Sequence, residues 1–178
     1  MTNIIGTYIQ NQIAEQLVRE VNNIVQDAKT NASRFSSRIP DAISIGTLDI
    51  RPGYVKTSIE IDASEDGPAP HAAAFEFGSG LHSEVYSPAT YRIEPKKDNP
   101  SQMLAFFWDK TPSGPGRKFI GQAADGKLLF RFVDHPGVKA QPYLRPAIEK
   151  NRDGLVKGIA RAFMEGYRKG TPDIVVIR

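Results

Sequence analysis

A chain of 178 residues suits one domain with a real core, and its 40% hydrophobic and 24% charged content is ordinary for a globular protein. The absence of cysteine excludes disulfides, thiolate nucleophiles and cysteine-ligated zinc, and fits assembly in a reducing cytoplasm. A net charge of +3 is too small and dispersed to argue nucleic-acid binding by itself, and neither a membrane-length apolar run nor a secretory signal is visible, so the chain reads as soluble.

Ile5, Ile9, Ile13, Leu17, Val21, Ile24, Val25 and Ala28 recur three and four residues apart, which is one apolar face of a helix. Such a helix, roughly 28 residues and about 40 Å long, either crosses a whole sheet or overhangs it. Asn31, Ser33, Ser36, Ser37 and Pro40 end it. Ile43 and Ile45, then Leu48 and Ile50, break strict alternation at Gly46, which predicts a bulge. After an Arg51-Pro52-Gly53 turn, Val55, Thr57, Ile59 and Ile61 alternate with polar residues, closing a hairpin.

A polar loop over Ser64–Pro70 leads to a short helix, His71–Phe77, stopped by Gly78. A long loop, Gly80–Thr90, precedes a strand through Tyr91 and Ile93 that ends at Pro95-Lys96-Lys97. Met103–Trp108 reads as another strand, and Thr111–Gly116 as an excursion too rich in breakers for regular structure. Phe119–Ala123, the turn Asp125-Gly126 and Lys127–Val133 form a second strand pair. Adjacent aromatics such as Phe106 and Phe107 must point to opposite faces of a sheet, so one set fills the core and the other needs a cover.

The segment His135–Ala147 holds three prolines and a glycine, which predicts a fixed extended connector. Pro146 then opens a helix to about Tyr167, with Ile148, Leu155, Ile159, Ala162 and Phe163 on its inner face, ended by Gly170 and Pro172. The expected fold is α+β: one domain over 1–170, a mainly antiparallel sheet packed by the N-terminal and C-terminal helices. A strand-like tail, 171–178, has no visible partner.

An aromatic and two basic residues on a rigid connector suit docking. Tyr143 is the expected interface anchor, with Pro136, Lys139, Pro142 and Arg145 beside it. His135, also a candidate interface residue, is expected to brace the connector with its ring. In the tail, Ile174 and Val176 are expected to add a strand to a neighbour's sheet edge.

The run H-P-G-x-K-A-Q-P-Y-L-R-P-A resembles the signature of the tail-component family of long-tailed lambdoid bacteriophages, which includes tail-completion proteins of the neck. Ala73-Ala74-Phe75-Glu76-Phe77-Gly78-Ser79-Gly80 and Ile93-Glu94-Pro95-Lys96-Lys97, followed by Leu104-Ala105-Phe106, are similar to two further blocks of that family, in the same order. The resemblance spans about residues 71 to 147; the loop Gly80–Thr90, Gly114-Pro115-Gly116 and the tail lie outside it. It implies a structural virion protein, assembled in the host cytoplasm as a ring of identical copies between head-completion proteins and the tail tube. The sixfold symmetry of such tubes implies a hexamer. The loops Gly80–Thr90 and Thr111–Gly116 are expected to reach adjoining rings.

Enzymatic patterns are missing from the sequence. His71 and Glu76 are five residues apart, not four, and no H-E-x-x-H links them to His135. Ser79 lacks the glycine spacing of a nucleophile elbow, and neither glycine-rich turn carries a phosphate-binding lysine and helix. No catalytic residue, cofactor or metal is therefore expected, and a small metal-dependent hydrolase ranks third. The second reading is a DNA-binding or DNA-channel module using Lys96, Lys97, Arg117 and Lys118. Interleaved acids such as Asp98 and Asp109 favour solvated surface for these cations.

Overall fold

The computed structural model describes residues 4–64, 66–98, 101–108 and 114–171. These divide into two compact units, one formed by residues up to Glu76 together with those from Pro142 onward, the other by Phe77–Gln141. Nothing in the composition marks that division, because one unit is inserted in the other. The α+β class with antiparallel sheets is as expected. The tail, with Ile174 and Val176, lies outside the described residues, as do Asp109 and residues 111–113 of the expected excursion.

The first unit is built on α1 (Ile4–Ala32) and α4 (Leu144–Gly170). Val21, Ile24, Val25, Ala28 and Ala32 of α1 enter one apolar core with Ile39 and Ala42 of α2 (Ile39–Ala42), Ile43, Ala72, Tyr143 and Ala147. Apart from the buried Ala14, the earlier turns of α1 are half-buried or exposed and lie outside the main core cluster, so this helix overhangs it. Beside it runs a ribbon: β1 (Ile43–Ile45) pairs with β4 (Ile59–Ile61), and β2 (Asp49–Arg51) with β3 (Tyr54–Lys56), all antiparallel. The ladder breaks where Gly46–Leu48 face Thr57 and Ser58, an excess of one residue at the expected bulge. The ribbon's tip reaches α1 through Gln10, whose side-chain amide donates to the Arg51 carbonyl.

The two long helices run antiparallel and pack chiefly on one another rather than across a sheet face. Gly158, Ala162, Gly166 and Gly170 are buried at four-residue intervals on α4. A Cβ on Gly166 would sit 2.5 Å from the Ile9 Cα, and one on Gly170 2.6 Å from the Ile5 Cα. The contact is therefore backbone against backbone, possible only for small side chains. This corrects part of the expected inner face of α4. Ala162 is buried and Leu155 and Ile159 half-buried, but Ile148 and Phe163 are exposed. The small-residue ridge takes the buried side, and four-residue spacing leaves the bulky residues between its steps to point elsewhere.

The second unit is a sheet centred on β8 (Leu128–His135), with β7 (Arg117–Gln122) along one edge through the Ala123–Lys127 turn. Gly126 takes φ +85 there, as the Asp-Gly signal requires. β5 (Tyr91–Ile93) pairs with residues 133–135 of β8, and β6 (Leu104–Phe106) with residues 128–130. Because β7 already holds one edge over 128–133, β5 and β6 must share the other. They are collinear pieces of one interrupted strand. Phe130 is fully buried, stacked on Phe106 at 5.1 Å and met edge-on by Phe119 at 5.6 Å, with Trp108 at 5.9 Å. Phe107 points the other way and is exposed, as alternation demands.

Candidate functional site

The two outer motif blocks are bound to each other. α3 (Ala72–Phe77) places Glu76 in the interior of the first unit, 3% exposed, beneath the N-terminus of α4. Oε2 accepts from the backbone N–H of Tyr143 at 2.8 Å and of Leu144 at 2.9 Å; Oε1 accepts from the N–H of Arg145 at 3.0 Å. The Arg145 Nε donates to Oε1 at 3.1 Å, and its Nη2 to the Glu76 carbonyl at 2.6 Å. All four acceptor positions of the carboxylate are used. Tyr143 makes no side-chain cap of its own, and the first turn of α4 contains no acid. A carboxylate 67 to 69 residues away supplies both the cap and the negative charge that a helix N-terminus favours. Glu76 therefore caps a helix that begins far along the chain from its own.

Tyr143 is not an exposed anchor. It is fully buried, 6.2 Å from the Phe35 ring, which stacks on Phe75 at 5.0 Å. Its carbonyl accepts from the Asn31 side chain at 3.1 Å, and its hydroxyl lies 3.4 Å from the Ala72 carbonyl. The residue belongs to the core because the Glu76 clasp draws the start of α4 inward. Burial pushes its phenol from 10.0 up to about 12, the Glu76 carboxylate adding to the effect. Below pH 10 the phenol is neutral in both states. Between 10 and 12 the unfolded chain ionises while the folded chain keeps its proton, so stability falls with rising pH. The expected loss is about 2–3 kcal/mol once the pH exceeds the folded value. Urea denaturation at about pH 9 and about pH 12 should show this loss for the wild type, and a smaller one for Tyr143→Phe.

The second unit carries the other half of the motif. After α3 the chain stops at Gly78 with φ +70 and crosses the segment Pro136–Val138. The Ser79 N–H donates to the Val138 carbonyl at 2.9 Å, the Val138 N–H to Ser79 Oγ at 3.0 Å, and the Leu81 N–H to the Pro136 carbonyl at 2.7 Å. At the crossing a Cβ on Gly137 would lie 1.8 Å from the Ser79 carbonyl oxygen. The Gly137 N–H donates to His135 Nδ1 at 2.9 Å, so His135 braces the connector as expected. Pro136, Lys139, Pro142 and Arg145 are exposed, the last while pairing with Glu76.

The loop this crossing carries is itself ordered. Gly80–His82 make a single 3₁₀ turn, the Glu84 N–H donates to the Phe77 carbonyl at 2.9 Å, and the Ala89 N–H to the Gly80 carbonyl at 3.4 Å. Ser83 Oγ accepts from the N–H groups of Val85 at 3.3 Å and Tyr86 at 2.9 Å. Tyr86 is consequently held out 79% exposed, with Val85 beside it. The sequence reading overlooked this tip; a Ser-x-x-aromatic turn between glycine and proline was the available signal.

The basic candidates are spread over the sheet. Lys96, Lys97 and Lys118 are exposed. Arg117 is half-buried, 5.8 Å from the Trp108 ring centroid, on the opposite edge of β8 from β5. Lys97 instead meets Arg131, Glu94 and Gln102 in a cleft of about 490 Å³. Arg92 forms a two-pronged pair with Asp134 at 2.7 and 3.1 Å, its guanidinium 3.9 Å from the Phe132 ring centroid. That pairing holds the Asp134 carboxyl below the usual range. No cluster of three histidines or carboxylates placed to hold a metal occurs among the described residues, nor is any described helix long and apolar enough to cross a membrane.

One surface remains. On α4, Val156, Phe163, Met164 and Tyr167 form an apolar row, each between 47% and 63% exposed. The same helix holds seven Lys and Arg against three Asp and Glu, more positive charge than the +3 of the whole chain. Comparison of the chain with protein-family models, with curated proteins and with solved structures finds no match.

Proposed function

We propose that this protein is a non-enzymatic structural component of a phage neck, a tail-completion protein that assembles as a ring, six-membered by the symmetry of the tube, between head-completion proteins and the tail tube. The observation that carries this reading is the mutual binding of the motif blocks. Glu76 of the aromatic–acidic–aromatic–glycine block caps Tyr143–Arg145 of the proline block, and Ser79, with Leu81 just past the block, bonds to Pro136 and Val138. Blocks that resemble one family and depend on one another physically make a single signature rather than separate coincidences. The open apolar row on α4 adds the surface an assembling subunit needs.

Disruption of the gene in the encoding phage should yield filled heads and tails that remain unjoined, and mass spectrometry of wild-type virions should detect the polypeptide. Joined, infectious particles that lack it would overturn the proposal. A DNA-channel role draws support only from Lys97 and Arg131 at their shared cleft, and we place it second. It requires binding of isolated protein to duplex DNA that weakens steeply with salt.

A further inference from the structure

We propose that the tip of the Gly80–Ala89 loop, Val85 and Tyr86, is the plug of a head-to-tail contact whose socket is the apolar row of α4 on a second copy of this chain. The inference rests on the ring reading above and identifies the surfaces that build the ring. Tyr86 is the most exposed large apolar side chain among the described residues. It is held there by the Ser83 turn, the Glu84–Phe77 and Ala89–Gly80 backbone bonds and the glycine crossing, so docking it costs little ordering entropy. A presented tyrosine with an apolar body and a polar tip is a typical contact anchor.

Charge selects the occupant of the α4 row. Arg145 and Lys150 are already paired with Glu76 and Asp27, but from Val156 onward Lys157, Arg161, Arg168 and Lys169 stand against Glu165 alone, so two copies laid row to row would set like charge together there, which disfavours a twofold α4–α4 pairing. Glu84 supplies the only formal charge of the loop from Gly80 to Thr90, and it is negative. It would meet the cationic border of α4, where Lys157 and Arg161 flank the row. Plug and socket are different patches of one chain, so the contact is heterologous and can close into a ring. On this account the motif blocks mount the docking element instead of being the docking surface.

The test uses full-length Tyr86→Ser and Phe163→Ser, both at exposed positions, with folding checked by circular dichroism and association read by sedimentation velocity. Wild type should form species larger than dimers. Each variant alone should associate at least about 30-fold more weakly, the equivalent of losing a hot spot of about 2 kcal/mol. Their equimolar mixture should restore heterodimers and nothing larger, because one intact plug meets one intact socket. A benzoylphenylalanine photocrosslinker placed at position 86 should label α4 peptides of another copy.

Assembly of Tyr86→Ser like the wild type, a mixture without heterodimers, crosslinks elsewhere, or a wild type monomeric at every concentration would overturn the contact. Rings that survive Tyr86→Ser sink the contact and leave the neck reading standing. Heterodimers formed by a protein absent from virions do the reverse.

Discussion

Glu76→Ala should lower the unfolding free energy by about 3–5 kcal/mol, the largest effect of any single side-chain truncation outside the apolar core. Three backbone N–H groups at the start of α4 lose their acceptor, and the Arg145 guanidinium loses the carboxylate while keeping its bond to the residue 76 carbonyl. The site is almost closed to solvent, with the Glu76 side chain 4% exposed, so water cannot take over without opening the core around Tyr143. Glu76→Gln keeps one acceptor oxygen and should lose less, while setting an amide donor against N–H groups that need acceptors. Urea denaturation provides the measure: a lowered midpoint at constant slope reports lost stability. Amide hydrogen exchange should find the first turn of α4 opening first in both variants. A Glu76→Ala protein within 1 kcal/mol of the wild type would show that the clasp is incidental.

The second large effect lies on the glycine ridge, where one substitution type should act in opposite directions at two sites on a single helix. Gly166→Ala places a methyl group 2.5 Å from the Ile9 Cα and 2.9 Å from its backbone nitrogen. Backbone cannot rotate away as a side chain can, so the helices must part. Overpacking of this kind costs about 1–3 kcal/mol, against a helix-propensity gain near 1 kcal/mol. Gly154→Ala instead meets only the Glu20 carboxylate at 3.8 Å, an ordinary contact on an exposed face. There the propensity gain stands alone, and the protein should become more stable by about 0.5–1 kcal/mol. Paired denaturation curves decide the matter; equal shifts at both sites would remove the close crossing from the account.

Local signals in the sequence were sufficient for most of the elements. The apolar spacing of α1, the bulge at Gly46, the stop at Gly78, the Asp125-Gly126 turn and a proline in the first turn of α4 each act within a few residues, and each is found in the structure. The inner face of α4 was legible in part: Leu155, Ile159 and Ala162 lie on it, but Ile148 and Phe163 were counted with them and the glycines were not. Yet Gly154, Gly158, Ala162, Gly166 and Gly170 stand at strict four-residue intervals, and glycines cost a helix about 1 kcal/mol each. So many in one helix imply a compensating close approach, and that signal was legible.

The candidate site was legible only in part. The bracing role of His135 could be inferred because its partner, Gly137, is two residues away. The cap supplied by Glu76 to α4 could not, since spacing rules do not reach across 67 residues. For the same reason Tyr143 passed for an exposed anchor: a tyrosine between prolines looks accessible until the distant carboxylate that pulls it inward is known.

The interrupted strand formed by β5 and β6 has a further consequence. Ten residues of sequence separate Ile93 from Leu104, while only Arg131 and Phe132 separate their partners Val133 and Phe130 on β8. The sheet therefore carries a detour whose length is uncoupled from its register. Residues can be added to or removed from that detour at an entropic cost that grows only logarithmically with length. A foreign peptide grafted there would be displayed from a fixed base, leaving the aromatic cluster around Phe130 undisturbed.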